Sequence, residues 1–423
     1  MSLPLSTEYL NMRLRTATVL TVAGMMLSAT VTATAQSSAT GLQGVDTHLP
    51  GNPVVVPAAV AHEDAPTPSP FTPDQIARVY ASDLPAKGPF YFDAINSYDG
   101  VRQHHPEVMA RNLDLTVEIN NAAADDPVLV ERALADDHDD LMLTMSDAWG
   151  ETLGQHFRDA VAENRLPKTT QLLSGALGRG GWLASTTFPE KYFYGEDRPF
   201  VVDPARIQRF HRDGAEDEYS TSPSFPSGHT NQATWKSTMM AAMLPELGTQ
   251  MLARGSEVGY NRVVLGVHYP LDVIGGRQTG TAAAIDRMSD PEFVALLNEA
   301  SAELRAELEW RCGAPLADCI AEDSGYLSTR DAVDVYTERM TYGFDQIGPA
   351  GQPMDVPSYS EVLLQTRFPE LTWEQRKAIM HLSAIDSGYP LDEGTHSYNR
   401  LNLAAAWAAT PQVNADGGVS LMR

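Results

Sequence analysis

Lysine is scarce in this sequence: there are five among 423 residues, at positions 87, 168, 191, 236 and 377, and every other cation is arginine. Positive charge of either kind is outnumbered, with 30 Lys and Arg against 55 Asp and Glu and a formal net charge of −25. Without a basic stripe to offset phosphate repulsion, nucleic acid is excluded as a partner, and electrostatic docking on anionic lipid is disfavoured. Cysteine is nearly missing too. The only two, Cys312 and Cys319, have six residues between them and no nearby His. Two thiols do not complete a tetrahedral metal shell, so no metal site is expected; in an oxidising compartment the pair reads as one small-loop disulfide, the alternative being two free thiols. Apolar runs of membrane-spanning length are absent, which excludes spans in the mature chain. Strand signals are few, the best being Phe200-Val201-Val202.

What is present is a globular composition. With 43% hydrophobic residues the chain affords a sizeable core, and its length suits two domains or one large domain with extensions. The amino terminus has the layout of an export signal over residues 1–35. Met12-Arg13-Leu14-Arg15 is basic, Ala17 to Ala29 is apolar, and Ala33-Thr34-Ala35 supplies small residues for cleavage. A membrane anchor is the alternative, but the apolar run falls short of the ~20 residues a span needs. The mature protein is therefore expected in the periplasm or outside the cell.

Residues 36–75, rich in Ser, Thr, Pro and Ala, read as an extended, poorly ordered lead-in. A helical domain is expected over 76–290, and a helical carboxy-terminal extension over 291–423 carries no recognisable chemistry. Asp125-Asp126-Pro127 and Asp290-Pro291 are helix starts, with acid at the positive end of the dipole and Pro in the first turn. Further helices are expected at 168–178, 229–245, 248–259, 271–286 and 291–309. Ser358 to Glu361 and Thr372 to Gln375 both fit a capping box, and a last helix is expected from Arg400 to Ala409. His104-His105 before Pro106 marks a turn. Trp373 and Trp407 read as core, and the acidic run Asp136 to Asp140 as a charged face of a helix rather than a metal cluster. The fold class is mainly α, a helical bundle.

Three segments carry chemistry. Lys191 and Arg198-Pro199 form the first. Pro226-Ser227-Gly228-His229, just ahead of an apolar helix, forms the second, where unpaired N–H groups and the dipole attract an anion. Gly228 lets the backbone approach closely, and the Ser227 hydroxyl adds a donor. The third runs from Arg262 through His268 to Asp272. Lys191, Arg198 and Arg262 are the donors a phosphoryl group needs. The i, i+4 spacing around Pro270 lets Asp272 hold one ring nitrogen of His268 and leave the other free to attack.

In order and spacing these segments resemble the signature of the type 2 phosphatidic acid phosphatase superfamily: 26 residues separate Pro199 from Pro226, and 31 separate His229 from Asn261. Within it the chain is most similar to exported bacterial class A non-specific acid phosphatases, a likeness shared by Arg254 to Gly259 and covering roughly 165–285. One position departs from the pattern. The family usually has Ser before the third-segment Arg, and here it is Asn261, which keeps a donor and an acceptor.

The resemblance implies hydrolysis of small phosphomonoesters through a phosphohistidine on His268, with Asp272 fixing its tautomer. His229 would serve as acid and then base, and Lys191, Arg198, Arg262, Ser227 and Gly228 would hold the phosphoryl oxygens. It implies no metal and no cofactor, vanadate acting as an inhibitor, and an acid-side optimum. Vanadium-dependent haloperoxidases share the scaffold and would bind vanadate as cofactor at His268; a lipid-phosphate phosphatase is a further alternative.

Overall fold

The computed structural model describes residues 56–85, 88, 90–175, 178–181, 186–212, 222–392 and 397–422. The export signal and the first part of the lead-in lie outside the described residues. The architecture is mainly α. Helix α1 (Pro106–Ala123) follows the turn at His105, which caps both the preceding helix and this one. Helix α2 (Pro127–His138) starts where the Asp126 carboxylate accepts from the N–H groups of Val128 and Leu129. After it come α3 (Glu151–Ala162), α4 (Pro167–Leu173) and α5 (Phe188–Tyr194).

Helices α6 (Gly228–Met243), α7 (Gly248–Val264) and α8 (Pro270–Met288) form the centre. From Thr230 onward every residue of α6 but Gln232 is buried, polar and apolar alike. A helix covered on all sides shows no clean amphipathic stripe. Trp235, Met239, Met240 and Met243 fill its surroundings. Close approach of α8 depends on a missing side chain: a Cβ on Gly276 would lie 2.5 Å from the Ser227 carbonyl oxygen. Gly276→Ala should therefore displace the start of α6, costing about 1–3 kcal/mol of stability as overpacking does. A lowered melting temperature would check the effect.

Residues beyond 290 form α9 (Pro291–Cys312), α10 (Leu316–Glu322), α11 (Thr329–Thr341), α12 (Trp373–Leu382) and α13 (Leu403–Ala408). Both α11 and α13 pack on α7, and α9 packs on α3 and α4. One apolar cluster runs from Phe71 through Trp149, Trp235 and Leu297 to Trp407, so the carboxy-terminal segment shares the core of the central helices. A disulfide joins Cys312 to Cys319 across the α9–α10 turn.

Several local expectations give way to tertiary structure. Phe200-Val201-Val202 is a helical turn (Pro199–Val202), not a strand, because Pro199 presets the first helical position after an extended Arg198. The strands present are the hairpin β1 (Pro411–Val413) and β2 (Val419–Leu421), joined through Asp416-Gly417 with Gly417 at φ 85°; that Asp-Gly pair was its legible signal. Thr372 makes the expected capping box with Gln375. Ser358 does not cap a helix; Tyr359 takes a left-handed φ of 65° and a short 3-10 turn (Ser360–Leu364) follows. The final helix opens at Leu403, with Asn402 as its cap. Trp407 is core, but Trp373, in the first turn of α12, is 56% exposed. The lead-in is anchored at Val60, Pro66 and Phe71: Arg165 donates to the Val60 and Pro66 carbonyls, and Phe71 is buried.

Candidate active site

The three sequence segments meet where the amino ends of α6 and α8 lie side by side. Ser227 is the N-cap of α6, and its N–H donates to the Asp272 carbonyl in the first turn of α8 (2.9 Å). The Ser227 hydroxyl oxygen accepts from the Thr230 N–H (3.3 Å) and the Thr230 hydroxyl (2.8 Å), which leaves its own hydrogen to donate elsewhere. Gly228 follows with its N–H in the unpaired first turn. Lys191 lies beside it, its Cε 3.9 Å from where a Gly228 Cβ would stand.

Backbone carbonyls hold the cations in place. Lys191 Nζ donates to the carbonyls of Pro223 and Ser224, both at 2.8 Å, so two of its three N–H groups are committed. Arg198 donates from Nε to the Ser222 carbonyl and from Nη1 to the Val267 carbonyl, each at 2.8 Å. Lys191, Arg198 and Arg262 are all buried. Burial, and Arg198 next to it, draws the Lys191 pKa well down from its usual value.

His268 is buried, with Nδ1 3.0 Å from Asp272 Oδ2 and Nε2 3.3 Å from Arg198 Nη1. Arginine only donates and a carboxylate only accepts. The hydrogen therefore sits on Nδ1 and the lone pair on Nε2. Asp272 Oδ2 also accepts from the Tyr269 N–H at 2.9 Å. Burial and then the cations Arg198, Lys191 and Arg262 hold the His268 pKa well below the usual histidine range, so the ring is neutral. Burial pushes the Asp272 carboxyl up, while the Tyr269 N–H and the Lys191 charge oppose that rise.

His229, in the first turn of α6, keeps about a quarter of its side chain open (26%). Its Nε2 is 3.2 Å from the Asp137 carbonyl, an acceptor, so Nε2 carries a hydrogen. The dense protein packed around the ring, then Arg262, draws its pKa down to about 3.

The acidic run at the end of α2 is not a solvated face. Asp136 is fully buried and takes both terminal nitrogens of Arg254, at 2.7 and 2.9 Å, while Asn261 Nδ2 donates to it at 2.8 Å. The unusual Asn261 thus keeps a supporting hydrogen bond. Asp137 Oδ1 is 2.7 Å from Arg262 Nη1 and 3.6 Å from His229 Nε2. Asp140 caps the next turn and faces the buried Lys236 at 3.5 Å. Asp136 and Asp137 are therefore site residues that the sequence reading missed. The one available signal was the need of a cationic pocket for counter-charge. Among the described residues no group of three or more His, Cys, Asp or Glu side chains is arranged to hold a metal ion.

Chemically the arrangement provides a neutral imidazole with an aimed lone pair, a second imidazole, and a ring of donors suited to a tetrahedral oxyanion. Residues 170–290, which contain all three segments, match the PAP2 superfamily model. The chain is 30% identical over 148 residues to a non-specific acid phosphatase of Salmonella typhi, covering 34% of this chain and 53% of that protein. It is 30% identical over 159 residues to one of Providencia stuartii, covering 38% and 60%. The chain thus spans little more than half the length of these relatives. Motif order, side-chain geometry and these matches coincide on the same stretch, residues 170–290, which is similar to the PAP2 superfamily.

Proposed function

We propose that the chain hydrolyses small phosphate monoesters through a phosphohistidine on His268, without a metal ion. The observation that carries this reading is the His268 ring, held by Asp272 at Nδ1 and faced by Arg198 at Nε2. His268 Nε2 attacks phosphorus as the P–O bond to the alcohol breaks, and His229 gives the departing oxygen its proton. Water, deprotonated by His229, then displaces His268 and releases inorganic phosphate. The third N–H of Lys191, the guanidinium groups of Arg198 and Arg262, the Ser227 hydroxyl and the Gly228 N–H support the equatorial oxygens, where charge spreads. Those cations supply the compensation a metal would otherwise provide.

The pH dependence follows from the two rings. A depressed His268 pKa keeps the nucleophile neutral far into acid. His229 itself is neutral above about pH 3, so the proton it passes on arrives with the substrate. A phosphomonoester loses its second proton near pH ~6. kcat/KM is therefore expected to fall as pH rises through the substrate's own second pKa, giving an acid-side optimum. Substrates of lower second pKa should move that limb to lower pH.

A panel of phosphomonoesters, including a phospholipid monoester in vesicles, assayed across pH with and without chelator and vanadate tests the whole reading. Acid-side phosphate release, indifferent to chelator and inhibited by vanadate, is the expected result. An alkaline optimum abolished by chelator would sink it, and vanadate-dependent bromide oxidation without phosphatase activity would assign the site to a haloperoxidase. Among the described residues no helix is long and apolar enough to cross a membrane. Export through residues 1–35 belongs to the same proposal, and a mature chain beginning just after Ala35 is its expected signature.

A further inference from the structure

Residues of helices α6, α7, α8 and α11, with Tyr342 just after α11, line a small cavity. This cavity of about 20 Å³ is lined among others by Thr230, Thr234, Ser256, Arg277, Arg339 and Tyr342. A volume of that order suits a single small particle, a water molecule or a monatomic ion. Lys191, Arg198 and Arg262 are not part of its lining.

Arg277, on α8, is only 5% exposed. Its Nη2 is well used, donating to Asn399 Oδ1 at 2.6 Å and to the carbonyls of Asn399 and Met340 at 3.2 and 3.4 Å. Among the described residues its Nε and Nη1 have no hydrogen-bond partner, and neither has the buried hydroxyl of Tyr342. Among the described residues no acidic side chain lines the cavity. Burial draws the Arg277 pKa down, and only Tyr336 and Tyr342 act against that. The other lining cation, Arg339, donates to the Ala253 carbonyl and the Ser256 hydroxyl, and it is felt by Glu257, whose carboxyl it helps to hold down. Nearby hydroxyls are already committed: Thr234 donates to the Thr230 carbonyl and Ser237 to the Thr234 carbonyl.

A buried guanidinium does not shed its proton, and leaving two of its nitrogens unsatisfied is costly. A water molecule would accept from them but leave the charge uncompensated. A tetrahedral oxyanion is too large for the space. We propose that this cavity is a binding site for a monatomic anion of chloride size, held by Nε–H and Nη1–H of Arg277 with the Tyr342 hydroxyl. Met340, Tyr342 and Asn399 all come from the carboxy-terminal segment, so the anion fastens that segment to the central helices.

The test uses the full mature chain and two halide measurements. Its melting temperature is followed while sodium chloride replaces sodium gluconate at constant ionic strength. A saturable rise of about 2 °C or more is expected, following ligand linkage, and Arg277→Gln should abolish it. Crystals of the unmodified protein grown in sodium bromide should show an anomalous peak within hydrogen-bond distance of the Arg277 guanidinium. This second measurement stands even if Arg277→Gln fails to fold. Identical chloride responses in the two proteins, or ordered water without anomalous signal in the cavity, would overturn the proposal.

Discussion

Replacing His268 with alanine is expected to lower kcat by about four orders of magnitude and to abolish any trapped phosphoenzyme. The size of the effect follows from what the ring does. The His268 lone pair is aimed by fixed partners, with Asp272 3.0 Å from one nitrogen and Arg198 3.3 Å from the other. Alanine leaves Lys191, Arg198 and Arg262 in place, so substrate binding should change far less than turnover. His229→Ala supplies the contrast. It removes the proton donor and not the nucleophile, so a phosphoenzyme should still form from an ester with a good leaving group, then persist because water is no longer activated. Rapid-quench trapping of acid-labile, base-stable phosphate on both variants separates the roles. Near-normal turnover by His268→Ala would rule out the assignment.

The second large effect is on stability. Asp136→Ala should destabilise the protein by about 3 kcal/mol, measured by denaturant unfolding. This is the low end of what breaking a buried ion pair costs. Asp136 is fully buried and holds Arg254 with both oxygens and Asn261 with one of them. Removing the carboxylate strands a buried guanidinium, but Arg254 Nε still donates to Asp147 at 2.9 Å, which limits the loss. Activity should fall as well, because Asn261 precedes Arg262 and its hydrogen bond to Asp136 steadies that turn of α7. A change within about 0.5 kcal/mol, the range of ordinary surface substitutions, would mean that the network is not structural.

The contrast between these two predictions shows what was legible beforehand. His268, Asp272, Lys191 and Arg198 declare themselves through residue type and fixed spacing along the chain, because the helix starts at Ser227 and Tyr269 are local features that local sequence encodes. The same holds for the caps at Asp126, Asp290 and Thr372, each of which satisfies its own first turn. Asp136 and Asp137 do not declare themselves. Their meaning lies in Arg254 and Arg262, more than a hundred residues away in sequence, and an acidic run in an acidic chain looks like solvated surface until those partners are placed. The exposure of Trp373 and the helical turn at Phe200 were hidden for a related reason: side-chain type reports burial and conformation only on average, and the packing around each residue decides.

Trp407, near the end of the chain, lies with its ring directly over Gly248, where any side chain would collide with it. Its helix α13 and its neighbour α11 together cover α7, the helix that carries Arg254, Asn261 and Arg262. The order of synthesis gives this arrangement a meaning of its own. A ribosome finishes residues 170–290 before it makes the helices that seal the interior of that stretch. Helices α6, α7 and α8 therefore lack part of their cover until α13 has emerged.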